Sequence, residues 1–282
     1  MTLDKAINPY RDDIAAIKLK GIIEAPYFVE PQKKQINTPS AFLKSEPNIE
    51  SPSLNEALLG DIFEVYEIKN GFAWGQLERD NYVGYIKASA LDDNIFNPSH
   101  KIKTIRTYGF KEASIKSRII STLSLGARIS PKGEAKNGFY DCGELGFIFA
   151  KHICPINEYF DNPAQIAQLY LGAPYTWGGN SSIGVDCSGL AQNSFRACGI
   201  NLPRDARMQE DLGESIEIKA DLSGLKRNDL IFWQGHVAIM VDETNIIHAN
   251  AYHLMTVIEP LQEANERYLG NNLPIRTIRR HK

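Results

Sequence analysis

The sequence predicts an α+β domain at the C-terminal end, preceded by two small all-β barrels. Three observations carry this prediction. Short strand-like stretches separated by tight-turn signals fill the region from about residue 31 to 91. A weaker copy of the same organisation lies between residues 123 and 153. Near Pro163 the composition shifts to helical spacing, and apolar strand-like runs follow the helices. A chain of 282 residues is also too long for one ordinary core and calls for two or three domains. The expected organisation is a lead-in over 1–29, a first barrel over 30–92, a second over 93–158 and the α+β domain over 159–282.

Within the lead-in, residues 14–23 are apolar enough to pair with a later strand or wrap a neighbour. In the first barrel, residues 60–68 alternate in part and stop at Asn70-Gly71, a strong hairpin signal. Residues 72–77 form the partner strand, and Asp80-Asn81 turns the chain into 82–86. In the second barrel, 123–129 precedes Asn137-Gly138-Phe139, and the aromatic-Gly run near 147 resembles the one near 84. In the last domain, Asn162 is the expected cap of a helix over 163–171, with Pro163 at its first position and Gly172 after its end. A glycine-rich loop follows over 177–184, then a second helix from Cys187 to about Ala197. Strands are expected over 229–233, 236–241 and 245–249.

The net charge of −3 offers no steering field toward nucleic acid or an anionic membrane, and neither is expected as a partner. The longest apolar runs are far too short to span a bilayer. The opening Met-Thr-Leu-Asp-Lys carries an acid and lacks a secretory apolar core, so a cytoplasmic location is expected. In that setting the four cysteines, Cys142, Cys154, Cys187 and Cys198, are read as free thiols. No cofactor is called for; Gly178-Gly179-Asn180 lacks the Lys-Ser or Lys-Thr of a nucleotide loop.

The chemistry concentrates on Asp186-Cys187-Ser188-Gly189-Leu190 with His236 and His248 downstream. A helix N-terminus stabilises a thiolate, because unpaired backbone N–H groups converge there. An adjacent imidazole does the same and can later protonate a leaving amine. His236 opens an apolar strand, and His248 ends a run on the next one. Antiparallel pairing of these strands makes the two histidines neighbours, so that His248 can hold the His236 ring in one tautomer. A zinc site built from Cys187, His236 and His248 is the rival arrangement; the cysteine's place at a helix start favours a nucleophile and no metal.

The linked set Tyr175-Thr176-Trp177-Gly178-Gly179, Gly184-Val185-Asp186-Cys187-Ser188-Gly189-Leu190, Pro203-Arg204-Asp205, Asp229-Leu230-Ile231-Phe232 and Gly235-His236-Val237-Ala238-Ile239 resembles the NlpC and P60 superfamily of papain-like peptidases, over roughly residues 162–282. The resemblance implies Cys187 as nucleophile, His236 as base and His248 as the third polar member. The upstream barrels look like bacterial SH3-like domains. Together these features are similar to cytoplasmic γ-D-glutamyl-L-diamino acid endopeptidases of the dipeptidyl-peptidase VI type. That similarity implies hydrolysis of the bond from γ-D-Glu to diaminopimelate or lysine, in murein tri- or tetrapeptides with a free N-terminal L-Ala. It leaves protein partners unassigned. A non-catalytic wall-peptide binding module and a thiol acyltransferase are the alternatives.

Further roles are assigned on the same footing. The Tyr175 hydroxyl is a candidate oxyanion donor beside the Cys187 backbone N–H. Asp186 and Ser188 are candidates for binding the substrate's amine or carboxylate, or else cap the helix. Trp177 lines a groove or serves as a lid; Arg204 and Asp205 shape the groove or form a loop ion pair. Glu78, Tyr82 and Tyr85 of the first barrel are candidates for the free ammonium, with barrel packing as the alternative for each. Related recycling enzymes often carry a small hydroxyl residue after the Arg-Asp pair, where this chain has Ala206.

Overall fold

A computed structural model describes residues 3–281; the remaining terminal residues of the lead-in and of the last domain lie outside this range. The chain divides into two compact units, Met1–Glu158 and Tyr159–Lys282. Among the described residues no helix is long and apolar enough to cross a membrane.

The first unit is β-rich. Its larger sheet has seven strands, in the spatial order Ser53–Leu58, Ser40–Lys44, Tyr82–Lys87, Phe72–Leu77, Ile62–Lys69, Gln32–Ile36 and Leu91–Asp92. Asn70 and Gly71 both take positive φ, 52° and 79°, which is the two-residue turn whose twist matches its flanking strands. Ile36, Leu43, Ala57, Phe63, Val65, Ala73, Leu77 and Ile86 form its core. In the lead-in, Ile14–Ala16 pairs in parallel with Tyr27–Val29. Its Ile14 and Ala16 pack on Tyr66, Trp74 and Val83 of the sheet.

Residues 100–155 form a three-stranded and a five-stranded sheet. Asn137 and Gly138 repeat the positive-φ turn, at 51° and 81°. A second core gathers Ile102, Leu123, Ala127, Ile129, Ile148 and Ile153, with Leu59 reaching in from the end of the preceding sheet's strand.

Among its described residues the second unit has four helices and a six-stranded antiparallel sheet. Helix α1 is Pro163–Gln168, shorter than the spacing predicted because Leu169 to Leu171 continue as turns. Asn162 caps it, its side chain accepting from the Gln165 N–H. Helix α2 is Cys187–Ala197, α3 is Ala206–Gln209 and α4 is Leu261–Leu269. The strand order is Glu214–Ile216, Thr277–Arg280, Leu230–Trp233, His236–Met240, Asn245–Asn250 and Met255–Pro260. Side chains alternate between the two faces of a strand. One face buries Ile231, Trp233, Ala238, Met240, Ile246 and Ile278 together with Leu261 and Ala264 of α4. His236 shares the parity of Ala238 and Met240, and His248 that of Ile246, so both imidazoles lie on the face that α4 covers.

Candidate active site

The start of α2 is held by one buried carboxylate. Asp186 is the N-cap: its Oδ1 accepts from the Gly189 N–H at 2.7 Å, while Oδ2 accepts from the Gly178 N–H at 2.9 Å. Its two oxygens also take both terminal nitrogens of Arg204, at 2.9 and 2.5 Å. Ser188 Oγ donates to Asp186 at 3.2 Å and accepts from Arg204 at 2.7 Å. Arg204, only 1% exposed, therefore ties the glycine-rich loop to the first turn of the helix. Gly189 is required by a close approach: a Cβ there would stand 2.4 Å from the Gly179 carbonyl oxygen. The loop lies directly on the helix, and Cys187 becomes its first residue.

The backbone N–H groups of Val237 and Ser188 lie near enough to the Cys187 sulfur to favour its thiolate, which puts it beside the strand that His236 opens. Residue 187 is buried, with 8% of its surface exposed. Burial pushes the thiol up to about 12, and the Asp186 carboxylate adds to this; the two N–H groups and Arg204 oppose it. Burial also holds His236 well below the ordinary imidazole value, with His248 adding and Glu259 opposing. Neither group carries a charge alone at low cost. Passing the thiol proton to the imidazole creates both charges side by side, where each stabilises the other.

His236 Nε2 and His248 Nδ1 are hydrogen-bonded at 2.9 Å. His248 is fully buried, and its Nε2 meets Glu259 Oε1 at 2.6 Å. Arg267 of α4 donates to both Glu259 oxygens, at 2.8 and 2.5 Å. Burial alone would raise the Glu259 carboxyl; the hydrogen bonds from His248 and Arg267 outweigh it and hold the group at about 2. Burial lowers His248, and the Glu259 hydrogen bond resists that. Tyr268, one residue beyond Arg267, stacks on His236 with ring centroids 5.4 Å apart and on Trp233 at 4.7 Å. Burial raises its hydroxyl, and the neighbouring Cys187 sulfur adds to the effect.

The structure thus brings Cys187, His236 and His248 into one site. Tyr175 joins them: its hydroxyl is raised by burial first and then by the charges of Cys187 and Asp186. Trp177 stands 67% exposed on the loop before α2. Asp186 and Ser188, expected among groups that contact substrate, spend their polar atoms on the helix cap and on Arg204, because that arginine is buried between them. Arg204 pairs with Asp186, while Asp205 faces Arg207 at 3.3 Å. In the first unit, Glu78 accepts from Lys33 at 2.7 Å, Tyr82 is buried, and the Tyr85 hydroxyl accepts from Arg11 at 3.1 Å.

Sequence reasoning missed Glu259, Arg267 and Tyr268. The strand Met255–Pro260 and helix α4 were outside the predicted elements. A leucine at 261, alanine at 264 and tyrosine at 268 are the helical spacing that would have shown α4. One potential metal group gathers donor atoms of His248, His253 and Glu259 within 4.8 Å of one another. In this arrangement His248 Nε2 is engaged by Glu259, and Glu259 by the Arg267 cation, so the set is spent on internal hydrogen bonds.

Residues 172–273 match the NlpC/P60 family. The C-terminal unit is an NlpC/P60 domain. Residues 43–91 match the bacterial dipeptidyl-peptidase Sh3 domain, so an SH3 domain precedes it. Dipeptidyl-peptidase 6 of Lysinibacillus sphaericus is 27% identical over 251 residues, covering 81% of this chain and 91% of that protein. The γ-D-glutamyl-L-lysine dipeptidyl-peptidase of Bacillus cereus is 33% identical over 120 residues, 39% of this chain and 35% of that one. The crystal structure of an NlpC/P60 family protein from Bacillus cereus superposes with a TM-score of 0.74, covering 88% of this chain and 99% of its own, at 20% identity, and so shares the fold. In this domain Cys187 heads α2 and His236 opens the strand that pairs with Leu230–Trp233.

Proposed function

We propose that the protein is a cysteine peptidase that hydrolyses the bond from γ-D-Glu to an L-diamino acid in murein-derived peptides with a free N-terminal L-Ala. The observation that carries the chemistry is the Cys187 sulfur at a helix N-terminus, against the strand that carries a hydrogen-bonded His236–His248 pair. The names of the dipeptidyl-peptidase relatives support the bond and the substrate class.

In this reading the Cys187 thiol passes its proton to His236 and the sulfur attacks the γ-carbonyl carbon. The backbone N–H of Cys187, at the first helical position, has no intrahelical partner and is available for the oxyanion, with the Tyr175 hydroxyl beside it. His236 then gives its proton to the departing amine, forming a thioester. In the second half it takes a proton from water as the water oxygen attacks the thioester carbon; the C–S bond breaks, the acyl group leaves as the acid, and the proton returns to the Cys187 sulfur. A cytoplasmic setting belongs to the proposal and is tested by cell fractionation.

Incubation with L-Ala-γ-D-Glu-diaminopimelate or its lysine counterpart releases L-Ala-D-Glu, read by mass spectrometry. Full turnover by a Cys187→Ala protein would overturn the mechanism. Unchanged turnover of N-acetylated substrate would remove free-amine recognition while leaving the chemistry. Product analysis with added amines separates hydrolysis from acyl transfer.

A further inference from the structure

The His236–His248 pair does not end at His248. Glu259 is a carboxylate with both oxygens accepting from Arg267, and one of them also meets His248 Nε2 at 2.6 Å. A carboxylate only accepts. His248 Nε2 must therefore carry the hydrogen. In a neutral ring its Nδ1 is then a lone pair, which can only accept from His236 Nε2–H across their 2.9 Å contact. That leaves the His236 lone pair on Nδ1, the one ring nitrogen not committed to His248. The carboxylate's state sets, through two rings, which nitrogen of the base is free.

We propose that Glu259 is a positioning residue for the thiol chemistry: acting through His248, it fixes His236 as the Nε2–H tautomer with Nδ1 free to take the Cys187 proton, and Arg267 of α4 holds Glu259 in place. The inference rests on the assignment of Cys187 and His236 as thiol and base. Its negative charge also offsets the imidazolium that forms when the sulfur ionises, whereas Arg267 acts against that charge. The titratable groups facing the two imidazoles are Cys187 from α2, Glu259 from its strand, His253 from the preceding turn, and Arg267 and Tyr268 from α4.

The two members of the ion pair make opposite predictions, which a merely structural salt bridge would not. The measurement is the rate of Cys187 alkylation by iodoacetamide across pH in the full chain, followed on the Cys187 peptide; the sulfur displaces iodide and the thiol proton passes to His236. Glu259→Gln slows alkylation at neutral pH by roughly tenfold or more, and the pH at which the imidazolium is lost falls. Arg267→Gln leaves a carboxylate on His248, and that pH rises. In the unaltered protein, nitrogen-15 NMR of the histidine rings shows His248 and His236 both protonated at Nε2 with unprotonated Nδ1, a reading that needs no variant to fold. A His248 ring protonated at Nδ1, or variants whose pH profiles move together or not at all, overturns the proposal. Alkylation needs no murein peptide, so a protein that alkylates as described yet cleaves none refutes the substrate and not Glu259.

Discussion

Replacing Asp186 by asparagine tests how the nucleophile is held. The substitution keeps the size of the side chain and one carbonyl oxygen for the Gly189 N–H, so the helix cap itself survives. What it removes is the counter-charge of Arg204, whose side chain is 2% exposed and which otherwise bonds both carboxylate oxygens and Ser188. It also puts an amide NH2 where a carboxylate oxygen accepts from Gly178 or Arg204. Breaking one side of a buried ion pair costs about 3–5 kcal/mol, because the remaining charge is left without compensation. A loss of about 3 kcal/mol raises the local opening constant of α2 on the order of a hundredfold. Hydrogen–deuterium exchange of a peptide covering Cys187–Ala197 reads this directly, with peptides of the first unit as internal reference. Asp186→Asn combined with Arg204→Met should recover part of the loss, since the stranded cation is gone. If Asp186→Asn leaves α2 protection within about 0.5 kcal/mol of the parent, the pair does not hold the head of the helix and the reasoning fails.

Three further outcomes are expected. Gly189→Ala places a methyl 2.4 Å from the Gly179 carbonyl oxygen, so the loop and α2 must part; a cost of about 1–3 kcal/mol in thermal unfolding and a fall in peptidase turnover should accompany it. His236→Ala should slow alkylation of Cys187 at neutral pH, while the labelling of Cys142, in the core of the first unit, should not change with that substitution. Glu259, held at about 2 against an ordinary 4.5, contributes stability that is fully present above the ordinary value and is lost as pH falls toward the folded one. Thermal unfolding followed from pH 5 to 2 should therefore show a decrement over that interval that Glu259→Gln lacks.

The legible features were those whose physics acts within a few residues. Asn70-Gly71 and Asn137-Gly138 mark turns because both residues must take positive φ, a local demand. Asn162 before Pro163 and Asp186 before Cys187 announce helix starts because a cap reaches only the first turn. From the second of these alone, Cys187 could be placed at a helix N-terminus, and the spacing of His236 and His248 around the Asp242–Asn245 turn could pair two imidazoles. What the sequence determined about this protein is thus that Cys187 sits at a helix start and that His236 and His248 meet. Tertiary packing decided the rest. Glu259 reaches His248 although the residue opposite His248 is Val257, a diagonal that only strand register creates. Arg267 and Tyr268 arrive because α4 covers the same sheet face. Asp186 turned inward because Arg204, distant in sequence, was buried beside it, and a buried guanidinium takes every oxygen within reach.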